Sequence, residues 1–264
     1  MEHITVKPLI DCHSHIDQFD EHEIPEIIHR AKNNNVKYIV SAGTTIDSSK
    51  ECIRLSKLYP EILAGVGIHP MDLNGGLSKE NILSLSYMIN NNNVSCISEI
   101  GLDYPTSSTS IEKQFEAFRT QINLAKDFHL PIIFHCRETP NQKEQIIECL
   151  KVIKQEKAWV VGGAWHYFQS DINLAKECID MGFYISVGKP ILRLPELQLT
   201  VKKLDIKDIL LETDSFPQPF KKQREKWTEP KDVLAIAHKI AEVQDVDMKT
   251  IATQTTENFL KMIN

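Results

Sequence analysis

The sequence predicts an α/β chain folded as a single (β/α)8 TIM barrel over residues 1–264. Three observations predict it. Short apolar runs recur eight times, at 9–12, 37–42, 62–68, 94–100, 132–135, 160–166, 183–187 and 209–212. Amphipathic stretches lie between them, at 23–34, 46–58, 78–90, 110–128, 141–155 and 171–181, and only the seventh connection lacks a clear helical pattern. Strands alternating with helical patterns indicate parallel βαβ units, and near-continuous apolar strands are buried on both faces. The length of 264 residues is the third observation, because such a barrel usually takes about 250.

The first strand runs from Leu9 into His13, Ser14 and His15. Alternate side chains of a strand share a face, so His13 and His15 are expected to project together, where two imidazoles can hold one Zn²⁺, Mn²⁺ or similar ion. The fourth strand carries Glu99 near its end, with Gly101 just beyond to let the backbone bend at the strand mouth. The fifth ends in His135, the sixth in His166, and the eighth leads into Asp214. Active sites of this fold sit at the carboxyl ends of the strands. All six residues fall there, which points to a metal site.

One carboxylate on strand four can bridge two ions, while histidines supply neutral nitrogens and leave a coordination position open. Two ions about 3.5–4 Å apart can activate water and stabilise both the attacking and leaving oxygens of a phosphoryl displacement. Asp214 is then both a ligand and a natural proton acceptor for the attacking water.

Seven stretches, in order along the whole chain, carry a resemblance: Asp11-Cys-His-Ser-His15, Gly67-Ile-His-Pro70, Ser98-Glu-Ile-Gly-Leu-Asp103, Pro131-Ile-Ile-Phe-His-Cys-Arg137, His166-Tyr-Phe168, Leu211-Glu-Thr-Asp-Ser215 and Thr255-Thr-Glu-Asn258. The chain resembles the TatD family of metal-dependent deoxyribonucleases, among the amidohydrolase-like barrels. The resemblance implies a barrel of the metal-dependent hydrolase type with two divalent ions, Zn²⁺, Mn²⁺ or Mg²⁺. His13, His15 and Asp214 would bind one ion, His135 and His166 the other, and Glu99 would bridge, with Asp214 and Glu99 as the catalytic carboxylates. Histidine-rich ligands favour Zn²⁺ or Mn²⁺ over Mg²⁺.

The same resemblance implies hydrolysis of DNA phosphodiester bonds, from the 3′ end of single strands, and sets His69 and Arg137 near the scissile phosphate. The guanidinium fork of Arg137 matches phosphate geometry; the other reading is a salt bridge at the barrel rim. His69 is a substrate contact or a turn-stabilising residue, and Asp103 orients a ligand histidine from behind or caps a helix. A metal-dependent ester or amide hydrolase, such as a D-aminoacyl-tRNA deacylase, is the alternative activity. A nuclease subunit with protein partners in an antiphage defence complex is the alternative setting.

Two segments depart from the family pattern. The strand-six motif usually reads His-Cys-Phe-Ser-Gly, whereas here it is His166-Tyr-Phe-Gln-Ser170. After strand eight, where Arg-Gly and then Asn-Glu-Pro are common, this chain has Arg224-Glu-Lys-Trp-Thr-Glu-Pro230. Residues 216–229 mix aromatics with lysines and an arginine. They either stack bases and hold a phosphate backbone, as single-strand binders do, or form a solvated loop with two anchoring aromatics.

A formal charge of −6 argues against a broad basic surface for long DNA, so any affinity for DNA must be local, as at ends or single strands. The six cysteines show no Cys-x-x-Cys spacing and read as buried thiols rather than disulfides; Cys12 and Cys136 are expected to point away from the metal face. The runs Asn33–Asn35 and Asn90–Asn93 read as turns. The N-terminus has no basic region followed by an apolar stretch, and no apolar run approaches a membrane span. A cytoplasmic location without membrane contact is the expectation.

Overall fold

A computed structural model of the chain describes residues 7–104, 108–137 and 143–264. Eight parallel strands form one sheet in sequence order: β1 (Leu9–Ser14), β2 (Val36–Ala42), β3 (Ile62–Val66), β4 (Val94–Leu102), β5 (Ile132–Cys136), β6 (Gly163–Trp165), β7 (Phe183–Val187) and β8 (Ile209–Leu211). The last strand returns to the first, where Asp214 N–H donates to the His13 carbonyl at 2.9 Å and His15 N–H to that of Ser215 at 2.8 Å. The fold is a (β/α)8 TIM barrel.

The helices are α1 (Ile24–Asn33), α2 (Ile46–Leu58), α3 (Lys79–Asn91), α4 (Ile111–Asp127), α5 (Lys143–Gln155), α6 (Ile172–Asp180), α7 (Pro195–Val201), α8 (Val233–Gln244) and α9 (Met248–Ile263). Local chemistry sets their ends. Thr45 and Ser48 cap α2 reciprocally, each side chain taking the other's backbone N–H at 3.0 Å, and Ser78 and Asn81 do the same for α3 at 3.1 Å. α1 buries Ile24, Ile27, Ile28 and Ala31, the i, i+3, i+4, i+7 stripe of a helix laid on a sheet.

Two elements differ from the sequence expectation. The seventh connection does contain a helix, α7, whose seven residues are too few to show a periodic stripe. The run 160–166 yields a strand only from Gly163, because Ala158–Val160 form a 3-10 turn and Gly162 and Gly163, at φ +65° and +144°, turn the chain before it can pair. Residues 141–142 of the fifth predicted helix lie outside the described residues.

Strand residues divide between two packed layers. Ile132, Phe134, Ile185, Val187, Ile209 and Leu211 face the helices. Ile10, Cys12, Val40, Cys96, Ile133, Ala164 and Leu210 form a second cluster inside the barrel, closed from below by Phe259 and Met262 of α9. Cys12 therefore does not point away from the interior; its Sγ lies 3.1 Å from Ser186 Oγ. Cys136 packs outward with Cys149 of α5. All six cysteines are buried and free. The Thr255–Asn258 motif is structural: Asn258 donates to the Ile206 and Ile209 carbonyls at 2.9 and 2.8 Å, and Thr256 to that of Pro8, tying α9 to the entrances of β8 and β1. Among the described residues, no helix is long and apolar enough to cross a membrane.

Candidate metal centre

Regular alternation turns three strand ends into the barrel mouth. Ile133, Ala164 and Leu210 point inward, so His135 in β5, and His166 and Glu212 one residue past the ends of β6 and β8, do too, each two residues further along the chain. Glu99 and His13 arrive differently. The β4–β5 register shifts between Ile97 and Ile100, and the β1–β2 register between Asp11 and Ser14, so the simple two-residue period fails where each residue turns inward. His13 and His15 do share a destination, their rings 5.2 Å apart, although His15 lies beyond the end of β1.

Glu99 is the centre of the arrangement. Its Oε1 lies 2.8 Å from His135 Nδ1 and 3.1 Å from His166 Nε2, and its Oε2 lies 3.5 Å from both His13 Nε2 and His15 Nε2. Asp214 Oδ1 is 3.4 Å from His15 Nε2. The structure thus brings all six sequence-predicted ligands together. Compact donor groups form from His13, His15 and Glu99; from Glu99, His135 and His166; and from His13, His166 and Asp214.

The opposite edges of three imidazoles are held by acceptors. His15 Nδ1 faces the Ala42 carbonyl at 3.0 Å, His135 Nε2 faces Asp103 Oδ2 at 3.1 Å, and His166 Nδ1 faces Glu212 at 3.3 Å. Such partners fix the tautomer, leaving the inward nitrogen's lone pair for a cation. His13 is buried with no hydrogen-bond partner on either ring nitrogen, its ring stacked 3.7 Å from that of His166. A buried polar atom without a partner is costly. These donors suit divalent metal binding, and a cation is the species that would satisfy His13.

Burial opposes ionisation of Glu99, but the surrounding imidazoles, His166 first, take its pKa well below the usual range. Burial also opposes a proton on His15, yet Asp214 and Glu99 outweigh it and hold the imidazole up at about 9, so that a cation binding at Nε2 would displace this proton. For Asp214, the His15 hydrogen bond and the charges of His166 and His15 overcome burial and bring it to about 2. His69 goes the other way, to about 3, because burial dominates. It is a neutral imidazole whose Nδ1 accepts the Met71 N–H at 3.1 Å, leaving an Nε2–H directed toward Glu99 Oε1 at 3.6 Å.

Several positioning residues carried only weak sequence signals. Glu212 is fully buried and accepts from Ser186 and from Tyr167 N–H at 2.6 Å besides facing His166. Asp11 takes both the N–H and the hydroxyl of Thr213, locking β1 to the segment that carries Asp214. Three buried glutamines pair with backbone groups at and just past the ends of β3 and β4. Gln121 pairs with both polar groups of Ile68 beside His69, Gln114 accepts Asp103 N–H at 2.9 Å, and Gln145 bonds Leu102 and Tyr104. The signal was a polar residue on an otherwise apolar helix face or strand. Asp103 also lies 3.7 Å from Arg137 Nε, so Arg137, half exposed at the cavity edge, keeps donors to spare.

The cavity above the cluster measures about 740 Å³ and is also lined by His69, Arg137, Met71, Tyr167 and Phe216. Residues 216–229 divide in role. Arg224 is spent internally, bonded to Glu23 and Glu229 and lying 4.6 Å from the Trp227 ring centre, so both are anchors. Phe216 faces the cavity, and Phe220 is exposed.

Residues 10–264 match the family model described as TatD related DNase. An uncharacterized metal-dependent hydrolase of Bacillus subtilis, YabD, is 33% identical over 95% of this chain and 96% of its own length. The human deoxyribonuclease TATDN3 is 27% identical over 96% of this chain and 94% of its own. Among solved structures, the Escherichia coli TatD homologue YJJV superposes with a TM-score of 0.87 at 24% identity, covering 98% of this chain and 99% of that one.

Proposed function

This chain belongs to the family of TatD-related DNases and is a metal-dependent hydrolase, and on that premise we propose that it hydrolyses DNA phosphodiester bonds with two divalent ions at the barrel mouth. His13, His15 and Asp214 would hold one ion, His135 and His166 the other, with the Glu99 carboxylate shared between the two sets. One observation carries this reading: the inward nitrogens of four histidines gather on the two oxygens of a single carboxylate. Imidazole nitrogens favour Zn²⁺ or Mn²⁺, with Mg²⁺ a harder fit. The name of the human relative supports DNA as the substrate.

Divalent ions, when bound, supply Lewis acidity that eases deprotonation of water and offsets charge on phosphoryl oxygens. Asp214, whose carboxylate reaches the cluster 3.4 Å from His15 Nε2, would accept the proton from the attacking water. His69 donates from Nε2–H to a phosphate oxygen, and Arg137 presents its free guanidinium edge to another. A net charge of −6 leaves affinity to this local site, which suits an enzyme acting on nucleic-acid ends rather than along a duplex; the choice of single strands and of the 3′ end rests on the family resemblance alone.

The test is digestion of end-labelled single-stranded and duplex DNA by metal-stripped protein, with Zn²⁺, Mn²⁺ or Mg²⁺ added back. Laddering from the 3′ end of single strands that depends on metal and disappears in His135→Ala is expected. No cleavage under any of the three ions would overturn the reading.

A further inference from the structure

Ionisable side chains share the cavity with apolar walls formed by Met71, Trp165, Tyr167 and Phe216. A phosphate has no use for them. Apolar and aromatic lining in a polar site must meet an apolar or planar part of the ligand. Tyr167 stands beside the cluster of candidate ligands, its ring centre 5.7 Å from that of His166.

Its placement is built rather than incidental. Tyr167 has φ +51°, a left-handed backbone rare for an aromatic residue. The conformation is held because its N–H donates at 2.6 Å to the buried carboxylate of Glu212. Behind the ring lies Gly188, where an added Cβ would stand 3.2 Å from Tyr167 Cδ2 and 3.4 Å from Cε2. The ring is therefore backed by main chain on one side while it lines the cavity.

We propose that Tyr167 is a specificity-determining residue, a platform on which the nucleobase next to the scissile phosphate stacks. The inference rests on the nuclease reading above and adds the part of the substrate that is recognised. Stacking on an aromatic face is tolerant of base identity, so the platform selects for the presence of a base at the cleaved end and not for its sequence.

The experiment compares two end-labelled single strands that differ only in their 3′-terminal nucleotide, one normal and one abasic. Tyr167→Asn removes the ring while keeping a residue that tolerates left-handed backbone, and Tyr167→Phe restores the ring without the hydroxyl. The wild type is expected to prefer the base-bearing end. Tyr167→Asn should raise KM for that end about ten-fold, the size of one stacking contact, with the change in KM rather than kcat and with metal content equal to wild type. Tyr167→Phe should recover the preference. An undiminished preference in Tyr167→Asn overturns the platform, and so does an equal loss on both ends or a fall in bound metal, since those make Tyr167 a positioning residue for His166. Failure of the nuclease reading is distinguishable, because the wild type would then cleave neither strand.

Discussion

Asp103 Oδ2 lies 3.1 Å from His135 Nε2, on the edge of the ring opposite the Glu99 contact at Nδ1. Asp103 is fully buried, its N–H fixed by Gln114, so it holds the imidazole with the other nitrogen aimed at the cluster. Asp103→Ala should weaken metal binding about 10–100-fold while leaving the fold intact. Competition titration against a chelator checks this, and wild-type affinity would show that Asp103 does not position His135.

Glu99 touches all four cluster histidines, so Glu99→Ala should lose both ions. Elemental analysis that still finds two per chain would remove Glu99 as the bridge.

Asp214 contacts His15 but is not needed to hold the barrel closed, since its backbone N–H, not its carboxylate, bonds to His13. Asp214→Asn should keep the thermal transition and at least one ion, with kcat down about 10²–10⁴-fold. Undiminished turnover would remove it as the proton acceptor.

Gly101 sits at φ +152°, and an added Cβ would fall 1.9 Å from the His135 carbonyl oxygen. No side chain can rotate out of that collision. Gly101→Ala should cost more than about 3 kcal/mol, read from the denaturant midpoint; a shift under about 1 kcal/mol would mean that β4 and β5 are not this close.

Burial pushes the thiols of Cys12, Cys52, Cys136 and Cys178 well above their ordinary pKa, and that of Cys96 to about 12. A raised thiol pKa means the neutral, unreactive form at pH 8. Native protein should show roughly no fast reaction with a disulfide reagent at that pH, and all six thiols should react in denaturant. Rapid native labelling would contradict the packing around these residues.

Much of the site was legible in the sequence. His135 and His166 could be placed because they continue the inward alternation of Ile133 and Ala164, a period that any buried parallel strand enforces. The pair His13 and His15 was also visible, but for a reason that the structure changes: β1 is irregular between Asp11 and Ser14, and His15 lies past its end. The inward turn of Glu99 depends likewise on a register shift that alternation does not encode.

The sequence by itself determined the barrel and the histidines and carboxylates that its strand ends could offer to a metal, because strand period and helix stripe are local properties of the residues. Only the tertiary structure decided which atoms meet. Glu212 behind His166, Asp11 across to Thr213, Gln121 on Ile68 and Gly188 beneath Tyr167 join residues 21 to 202 positions apart. Each pairing depends on the closure of the barrel and on packing density, which bring distant side chains into one buried space where every polar group needs a partner.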